Sequence, residues 1–363
     1  MVRARFRHSA RRKFLALAFL SLGLTACAAI GTLPLTKNSP AHHTPRGFRN
    51  IYATPRQRGF SSILRWQLGL AAKEIPAIPP DEVPVFVPPI QKPDLEAIRH
   101  PDPKAIQVTW IGHSSFLIQV QGLNILTDPV FSSWISPLPF IGPKRHSPPG
   151  MRFEDLPRID AVLISHNHFD HLDRPTIKRL GPGPRYFVPL GLRPWLGRLG
   201  LDRVSELDWW QTSFIGEALV HCVPAQHFSG RGLFSFNQTL WAGWVIETKA
   251  GAVYFAGDTG ASPHFKEIAA RRGPIRLSLL PIGAYRPRWV MQTMHLDPAD
   301  AVRAHLDLGS AQSIGMHWGT YKQTDEPLAE PPIYLEKVLR ESRLDPKDFR
   351  VMAFGQTLVF NGT

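Results

Sequence analysis

Asp160-Ala-Val-Leu-Ile-Ser-His166-Asn-His168-Phe-Asp170-His171-Leu-Asp173 is the stretch on which the fold turns. Ala161 to Ser165 are apolar or small and read as a short buried strand that stops abruptly at polar residues. Beyond it, His166 and His168 are two apart, so on an extended loop their side chains point the same way. Asp170 and His171 follow directly and serve a second point a few ångströms away. Three imidazoles and one carboxylate within six residues form an N/O donor set suited to zinc. Their place at the end of a strand sets them apart from a solvated histidine-rich loop.

Three more candidate donors each close an apolar, strand-like run. His227 ends Leu219-Val-His-Cys-Val-Pro-Ala-Gln-His227, Asp258 ends Ala252-Val-Tyr-Phe-Ala-Gly-Asp258, and His317 ends Ala311-Gln-Ser-Ile-Gly-Met-His317. A lone histidine after a strand is commonly structural, but four such blocks in one chain point to a shared site. Asp128, at the end of Asn124-Ile-Leu-Thr-Asp128, is of the kind that orients a metal-site histidine or loop rather than binding the ion. His113, in Gly112-His113-Ser114, is a further residue expected to face the site.

The 363 residues, 43% of them hydrophobic, suffice for a large core in one big domain. The formal charge of +13 suggests nucleic acid at first sight. Residues 1–27, however, carry Arg3, Arg5, Arg7, Arg11, Arg12 and Lys13 and no acid, so 42 basic residues less these six leave 36 against 29 acidic ones. That smaller surplus suits an anionic membrane surface or a phosphate-bearing substrate. It leaves no basic docking arm, so no nucleic-acid partner is expected. Cys27 and Cys222 are the only cysteines, which excludes a disulfide framework. Cys222, in mid-strand, reads as a small buried apolar residue.

Residues 1–27 read as a lipoprotein signal peptide. A basic start is followed by Phe14-Leu-Ala-Leu-Ala-Phe-Leu-Ser-Leu-Gly-Leu24, too short to span a bilayer. Leu24-Thr25-Ala26-Cys27 resembles a bacterial lipobox, which implies lipidation of Cys27 and anchoring in the cell envelope. Ala28 supplies no acidic retention signal, so the resemblance favours the outer membrane, facing the periplasm. Arg11-Arg12-Lys13-Phe14-Leu15 resembles a twin-arginine signal, and both export routes stay open.

Residues 28–104 form a Pro-rich extension, with nine prolines between Ile75 and Lys104, expected to be mostly extended and partly packed on the core. Within it Phe60 to Leu70 reads as a short helix that covers the core or lies against lipid. The globular domain spans 105–363. Strands are expected at 106–111, 115–120 and 124–128, then a long Pro-rich loop, Phe131–Gly150, with Lys144, Arg145 and His146. After the His-rich stretch come strand 185–188, helix 190–199, strand 204–207 and a β-rich run from 218 to 257. Ser262 is expected to cap a helix with Pro263 at its first position, ending near Arg272. Strand 277–282, a helix opened by Asp297-Pro298, strand 312–316 and a helix over 331–342 complete the chain. Two blocks, each β-rich and then alternating, predict an α/β protein with a four-layer αββα sandwich.

The H-x-H-x-D-H spacing resembles the signature of the metallo-β-lactamase superfamily. The resemblance narrows with Thr109-Trp-Ile-Gly-His113, Leu126-Thr-Asp-Pro129, Gly142-Pro-Lys-Arg145, Leu207-Asp-Trp-Trp210, Phe255-Ala-Gly-Asp-Thr-Gly260, Pro281-Ile-Gly-Ala-Tyr285, Pro287-Arg-Trp289, His295-Leu-Asp-Pro298 and His317-Trp-Gly-Thr320. In this order they resemble the N-acyl-phosphatidylethanolamine-hydrolysing phospholipase D family, most strongly over 105–320.

The resemblance implies two metal ions, zinc or another divalent metal. His166, His168 and His227 would hold one, Asp170, His171 and His317 the other, with Asp258 bridging. Asp258 and His295 are then the residues expected in the chemistry, His295 touching the phosphate or leaving oxygen. Arg286 and Arg288 either steer phosphate or are merely solvated. The implied reaction is hydrolysis of the phosphodiester of an N-acyl-phosphatidylethanolamine to phosphatidic acid and an N-acylethanolamine. The alternatives are another hydrolase of the superfamily, acting on a different phosphodiester, a thioester or a lactam, and a non-catalytic envelope lipoprotein. The last predicts lost ligands, and none of the seven is lost.

Overall fold

The computed structural model describes residues 35–52, 62, 65–66, 68–70, 74–138, 140–232 and 235–361. The lipobox with Cys27 lies outside these residues, as do five of the eleven from Phe60 to Leu70. Among them, no helix is long and apolar enough to cross a membrane.

The chain first makes a small ribbon, β1 (His43–Thr44) against β2 (Gly47–Phe48). After helix α1 (Leu95–Arg99) come β3 (Ile106–Gly112), β4 (Ser115–Val120), β5 (Leu123–Thr127), β6 (Ala161–Leu163), β7 (Arg185–Pro189) and β8 (Val204–Leu207). The second half runs β9 (Thr212–Ile215), β10 (Ala218–Val223), β11 (Gly243–Thr248), β12 (Gly251–Phe255), β13 (Ile275–Pro281), β14 (Gln312–Met316) and β15 (Phe349–Val351), with β16 (Thr357–Phe360) last. Two seven-stranded sheets result, ordered β16-β3-β4-β5-β6-β7-β8 and β15-β14-β13-β12-β11-β10-β9.

Each sheet is built from three antiparallel pairings followed by three parallel ones. The cause is local. Tight turns such as Gln121-Gly122 return a strand antiparallel, whereas parallel neighbours need a crossover, most often a helix. Arg174–Leu180, Arg193–Gly197, His264–Arg272, Pro298–Leu308 and Glu330–Ser342 supply five of the six crossovers, and the long loop with a 3-10 turn at Phe153–Asp155 makes the one from β5 to β6. The last strand of the chain, β16, lies beside β3 as β9 lies beside β10, so the two sheets share one plan.

The core follows the period of two. Ile106, Val108, Trp110, Phe116, Ile118 and Leu163 meet Val220, Trp244, Val253 and Leu277 between the sheets. The alternate residues Leu117, Leu126, Val162, Tyr186 and Val188 pack outward on Ile98, Ile177 and Leu196 of the helices. Layers of helix, sheet, sheet and helix agree with the αββα expectation.

Element ends moved. The helix expected over 190–199 is confined to Arg193–Gly197, because Gly191 and Gly200 both sit at positive φ. Pro263, not Ser262, caps His264–Arg272, and the Ser262 hydroxyl turns instead to His264 Nδ1. Asp297 does cap Pro298–Leu308, accepting from Asp300 N at 2.7 Å.

Candidate metal centre

The strands β5, β6, β10, β12 and β14 all end at one rim of the sandwich, and the polar residues follow those ends. Asp128 follows β5, His166 follows β6, His227 follows β10, Asp258 follows β12, and His317 follows β14. Beyond β6 the chain makes a tight turn, with His171 N and Leu172 N both donating to His168 O at 3.2 and 2.8 Å. That turn folds Asp170 and His171 away from His166 and His168. Arg231 holds the turn from below: its Nη1 donates to Asn167 O and Leu172 O, both at 2.8 Å, and its guanidinium lies 3.9 Å over the Phe169 ring.

Two clusters of inward-facing atoms form. His166 Nε2, His168 Nδ1 and His227 Nε2 converge, with separations of 2.7 Å and 3.3 Å from the His168 nitrogen. Asp170 Oδ2, His171 Nε2 and His317 Nε2 converge 3.3 to 3.6 Å from one another. Asp258 stands between them. Its Oδ2 is 3.1 Å from His171 Nε2, 3.7 Å from His227 Nε2 and 4.0 Å from His166 Nε2, while Oδ1 is 3.1 Å from His317 Nε2. Gly257 permits this approach: at φ +60 a Cβ there would stand 2.4 Å from Ser165 Cβ. His113, Asp128 and His317 also hold positive φ, strain of the kind that collects at functional sites.

Outer partners fix which nitrogen of each ring carries its proton. His227 Nδ1 lies 2.9 Å from Met294 O and can only donate there. His171 Nδ1 donates to Asp128 Oδ2 at 2.6 Å. Ser165 Oγ gives its proton to the same oxygen at 2.5 Å, so it accepts from His166 Nδ1 at 2.9 Å. In each of the three rings Nδ1 is thus the nitrogen that donates outward, which leaves Nε2 as the one that would offer its lone pair to a metal ion. Asp258 Oδ1 and His317 Nδ1 are buried with no hydrogen-bond partner. The donor set fits divalent ions that favour nitrogen and oxygen ligands.

Electrostatics divides the two clusters. Burial, with neighbouring imidazoles, lowers His168 to about 3 and His166 well below the ordinary value. Burial likewise takes His227 to about 4 against the pull of Asp258. In the other cluster burial is overridden: Asp258, Asp170 and Asp128 hold His171 well above its ordinary value, and Asp258 with Asp170 raises His317 to about 9. Burial opposes ionisation of Asp170 and Asp258 too, but the adjacent histidines keep both carboxyls well below their usual range.

The remaining expected residues also reach the rim. His295 Nδ1 is buried, has no hydrogen-bond partner and lies 4.0 Å from Asp258 Oδ2. His113 Nε2 meets Asp170 Oδ2 at 3.0 Å. Gln323 Nε2 meets the same oxygen at 2.9 Å, a contact no motif announced. Arg286 and Arg288 are mostly buried and held by carboxylates. Arg286 pairs with Glu330 at 2.8 Å, and Arg288 with Asp297 at 3.2 Å and with Asp300. Cys222 is buried in β10 and takes no part.

A two-sheet sandwich carrying histidine and aspartate clusters at one rim defines a metallo-hydrolase of the metallo-β-lactamase superfamily, and residues 123–318 match the β-lactamase superfamily domain. A metallo hydrolase from Ignicoccus hospitalis superposes with a TM-score of 0.54 at 25% identity, over 71% of this chain and 100% of that one. The Caenorhabditis elegans N-acyl-phosphatidylethanolamine-hydrolyzing phospholipase D 1 is 42% identical over 258 residues, 66% of this chain and 71% of that protein. Its mitochondrial namesake in Saccharomyces cerevisiae is 35% identical over 237 residues, 63% of this chain and 50% of the yeast protein. Within the superfamily, the chain belongs to the family of the N-acyl-phosphatidylethanolamine-hydrolysing phospholipases D.

Proposed function

We propose that the protein is a binuclear, zinc-dependent phosphodiesterase of the phospholipase D type. It cleaves N-acyl-phosphatidylethanolamine-type lipids to phosphatidic acid and an N-acylethanolamine. The observation that carries this reading is the pair of ligand clusters flanking one shared carboxylate, Asp258. The kinship with the worm and yeast N-acyl-phosphatidylethanolamine-hydrolysing phospholipases D supports that substrate. The membrane-facing role follows from the lipobox at Cys27, which would tether the enzyme to the bacterial outer membrane.

His166, His168 and His227 would hold one ion, Asp170, His171 and His317 the other, and Asp258 would touch both. Divalent ions bound there supply Lewis acidity, lower the pKa of water and offset phosphodiester charge. The chain's own residues do the rest. Asp128 and Ser165 lock the ligand tautomers from behind, so no reorientation is needed during the reaction. His113 and Gln323 hold Asp170 in place. Burial keeps the His295 ring neutral at physiological pH. Its free nitrogen faces the centre and is suited to a hydrogen bond with the phosphate or the departing oxygen. The exposed Phe140 and Ile141 of the 131–150 loop offer apolar contact for acyl chains.

Incubation of the purified, metal-loaded protein with a panel of phospholipids tests the proposal. N-acylethanolamine and phosphatidic acid from the N-acylated lipid are the expected products. Turnover of a thioester or lactam with no lipid cleavage would assign the site to another chemistry of the superfamily.

A further inference from the structure

The superfamily match begins at residue 123, yet a stretch well upstream of it reaches the metal centre from behind. It is fastened at His42 and His43, whose Nε2 atoms lie 2.6 and 2.8 Å from the two oxygens of Asp208. The His42 ring also stacks on Trp209, centroids 4.1 Å apart. The β1–β2 ribbon then turns the chain, and Phe48 N donates to Asn237 O at 2.8 Å. Gly47 makes that approach feasible, because at φ +142 a Cβ would stand 2.0 Å from Asn237 O.

The stretch ends at Asn50, and Asn50 lies on the backbone of His227. Its Nδ2 donates to His227 O at 2.8 Å, and its Oδ1 accepts from His227 N at 3.2 Å. Trp241 Nε1 donates to the same Oδ1 at 3.1 Å. Two donors meeting one atom of the amide fix which end is the oxygen. His227 lies beyond the end of β10 at Val223, so no strand ladder satisfies its N–H and C=O. The Asn50 amide satisfies both. At the other side of the same residue, the imidazole is set by Met294 O.

We infer that residues 41–50 are a strap that positions His227 through Asn50, which makes Asn50 a positioning residue for the His166–His168–His227 cluster. The inference rests on the proposed reading of that cluster as a metal site. Groups that orient a ligand without touching the metal commonly change its affinity by about 10- to 100-fold. Loss of the Asn50 amide is therefore expected to weaken one ion and spare the other, because Asp170, His171 and His317 have no bond to the strap. A tie that served stability alone would lower the melting temperature and leave both affinities as they were.

The test compares the full chain with its Asn50→Ala and Asn50→Asp variants, the second being isosteric, so that it folds if the first does not. Asn50→Asp keeps the acceptor for His227 N and loses the donor to His227 O. Zinc content is followed against increasing chelator, and hydrogen exchange is followed at the His227 amide. Asn50→Ala is expected to release one ion at roughly tenfold lower chelator, with the second unchanged. The His227 amide is expected to exchange faster, and Asn50→Asp to fall between. Wild-type affinities for both ions in both variants would overturn the positioning role, whatever the exchange at His227, and wild-type exchange there as well would overturn the strap itself. A wild-type chain that binds no zinc would instead overturn the metal reading, and exchange at His227 would still decide whether the strap holds that residue.

Discussion

Replacing Asp128 by asparagine removes one charge and no volume, and its consequence follows from three bonds. Asp128 Oδ1 accepts from Ser165 N at 2.7 Å, and Oδ2 accepts from both Ser165 Oγ at 2.5 Å and His171 Nδ1 at 2.6 Å. An asparagine has one acceptor for these two positions. With its oxygen at the Oδ2 position, its NH2 opposes the Ser165 N–H, donor against donor. With the oxygen at the Oδ1 position, the NH2 faces His171 Nδ1 and favours the tautomer whose proton sits on Nε2, inside the cluster. Either orientation forfeits at least one charge-assisted bond, about 1.5–3 kcal/mol. This matches the scale of the 10- to 100-fold loss in metal affinity, about 1.4–2.8 kcal/mol, expected when a ligand's partner is removed. Competition of the metal-loaded Asp128→Asn protein with a chelator, resolved ion by ion, measures it. The ion at His171 is expected to weaken most. Unchanged affinity for both ions would refute the tautomer argument.

Asp258→Asn is expected to lower the content of both ions, because that carboxylate lies within reach of both clusters. His227→Ala, by contrast, is expected to lower mainly one ion, and elemental analysis separates the two cases. His295→Ala is expected to retain both ions yet lose about 10²- to 10⁴-fold in kcat, the range of a missing proton-transfer or hydrogen-bonding group; near-wild-type turnover would remove His295 from the chemistry. Cys27→Ser is expected to shift the protein from the membrane to the soluble fraction of a bacterial host. Equal partition of the two proteins would speak against lipidation.

The four blocks that carry the seven proposed ligands were legible because each follows an apolar strand-like run, whereas their division into two sets rested on the family resemblance. Asp128 and His113 were legible for the same reason. What the sequence concealed lies in contacts between distant segments. Asn50 sits in a stretch with no helical or strand period, and Asn237, Asp208 and His227, which make the strap intelligible, come far later in the chain. Residues 28–104, expected to pack partly on the core, bring Asn50 onto the backbone of His227. Arg231 follows His227 by four residues but reads as an ordinary surface cation until its guanidinium is seen beneath the metal turn. Arg286 and Arg288 failed in the opposite way: their motif neighbours suggested substrate, while Glu330, Asp297 and Asp300, placed by two helices, already occupy them. Element ends were the least legible, since Gly191 and Gly200 shorten a helix by backbone conformation rather than by any change of hydrophobic pattern.

The central claim is that this centre breaks the phosphodiester on the side of the N-acylethanolamine, by attack of water at phosphorus. Hydrolysis of N-acyl-phosphatidylethanolamine in oxygen-18 water, with mass analysis of both products, tests it most directly. The account predicts one oxygen-18 in the phosphatidic acid and none in the N-acylethanolamine. Label in the alcohol would mean attack at carbon, and diacylglycerol with a phosphorylated headgroup would mean the opposite ester breaks; either result contradicts it.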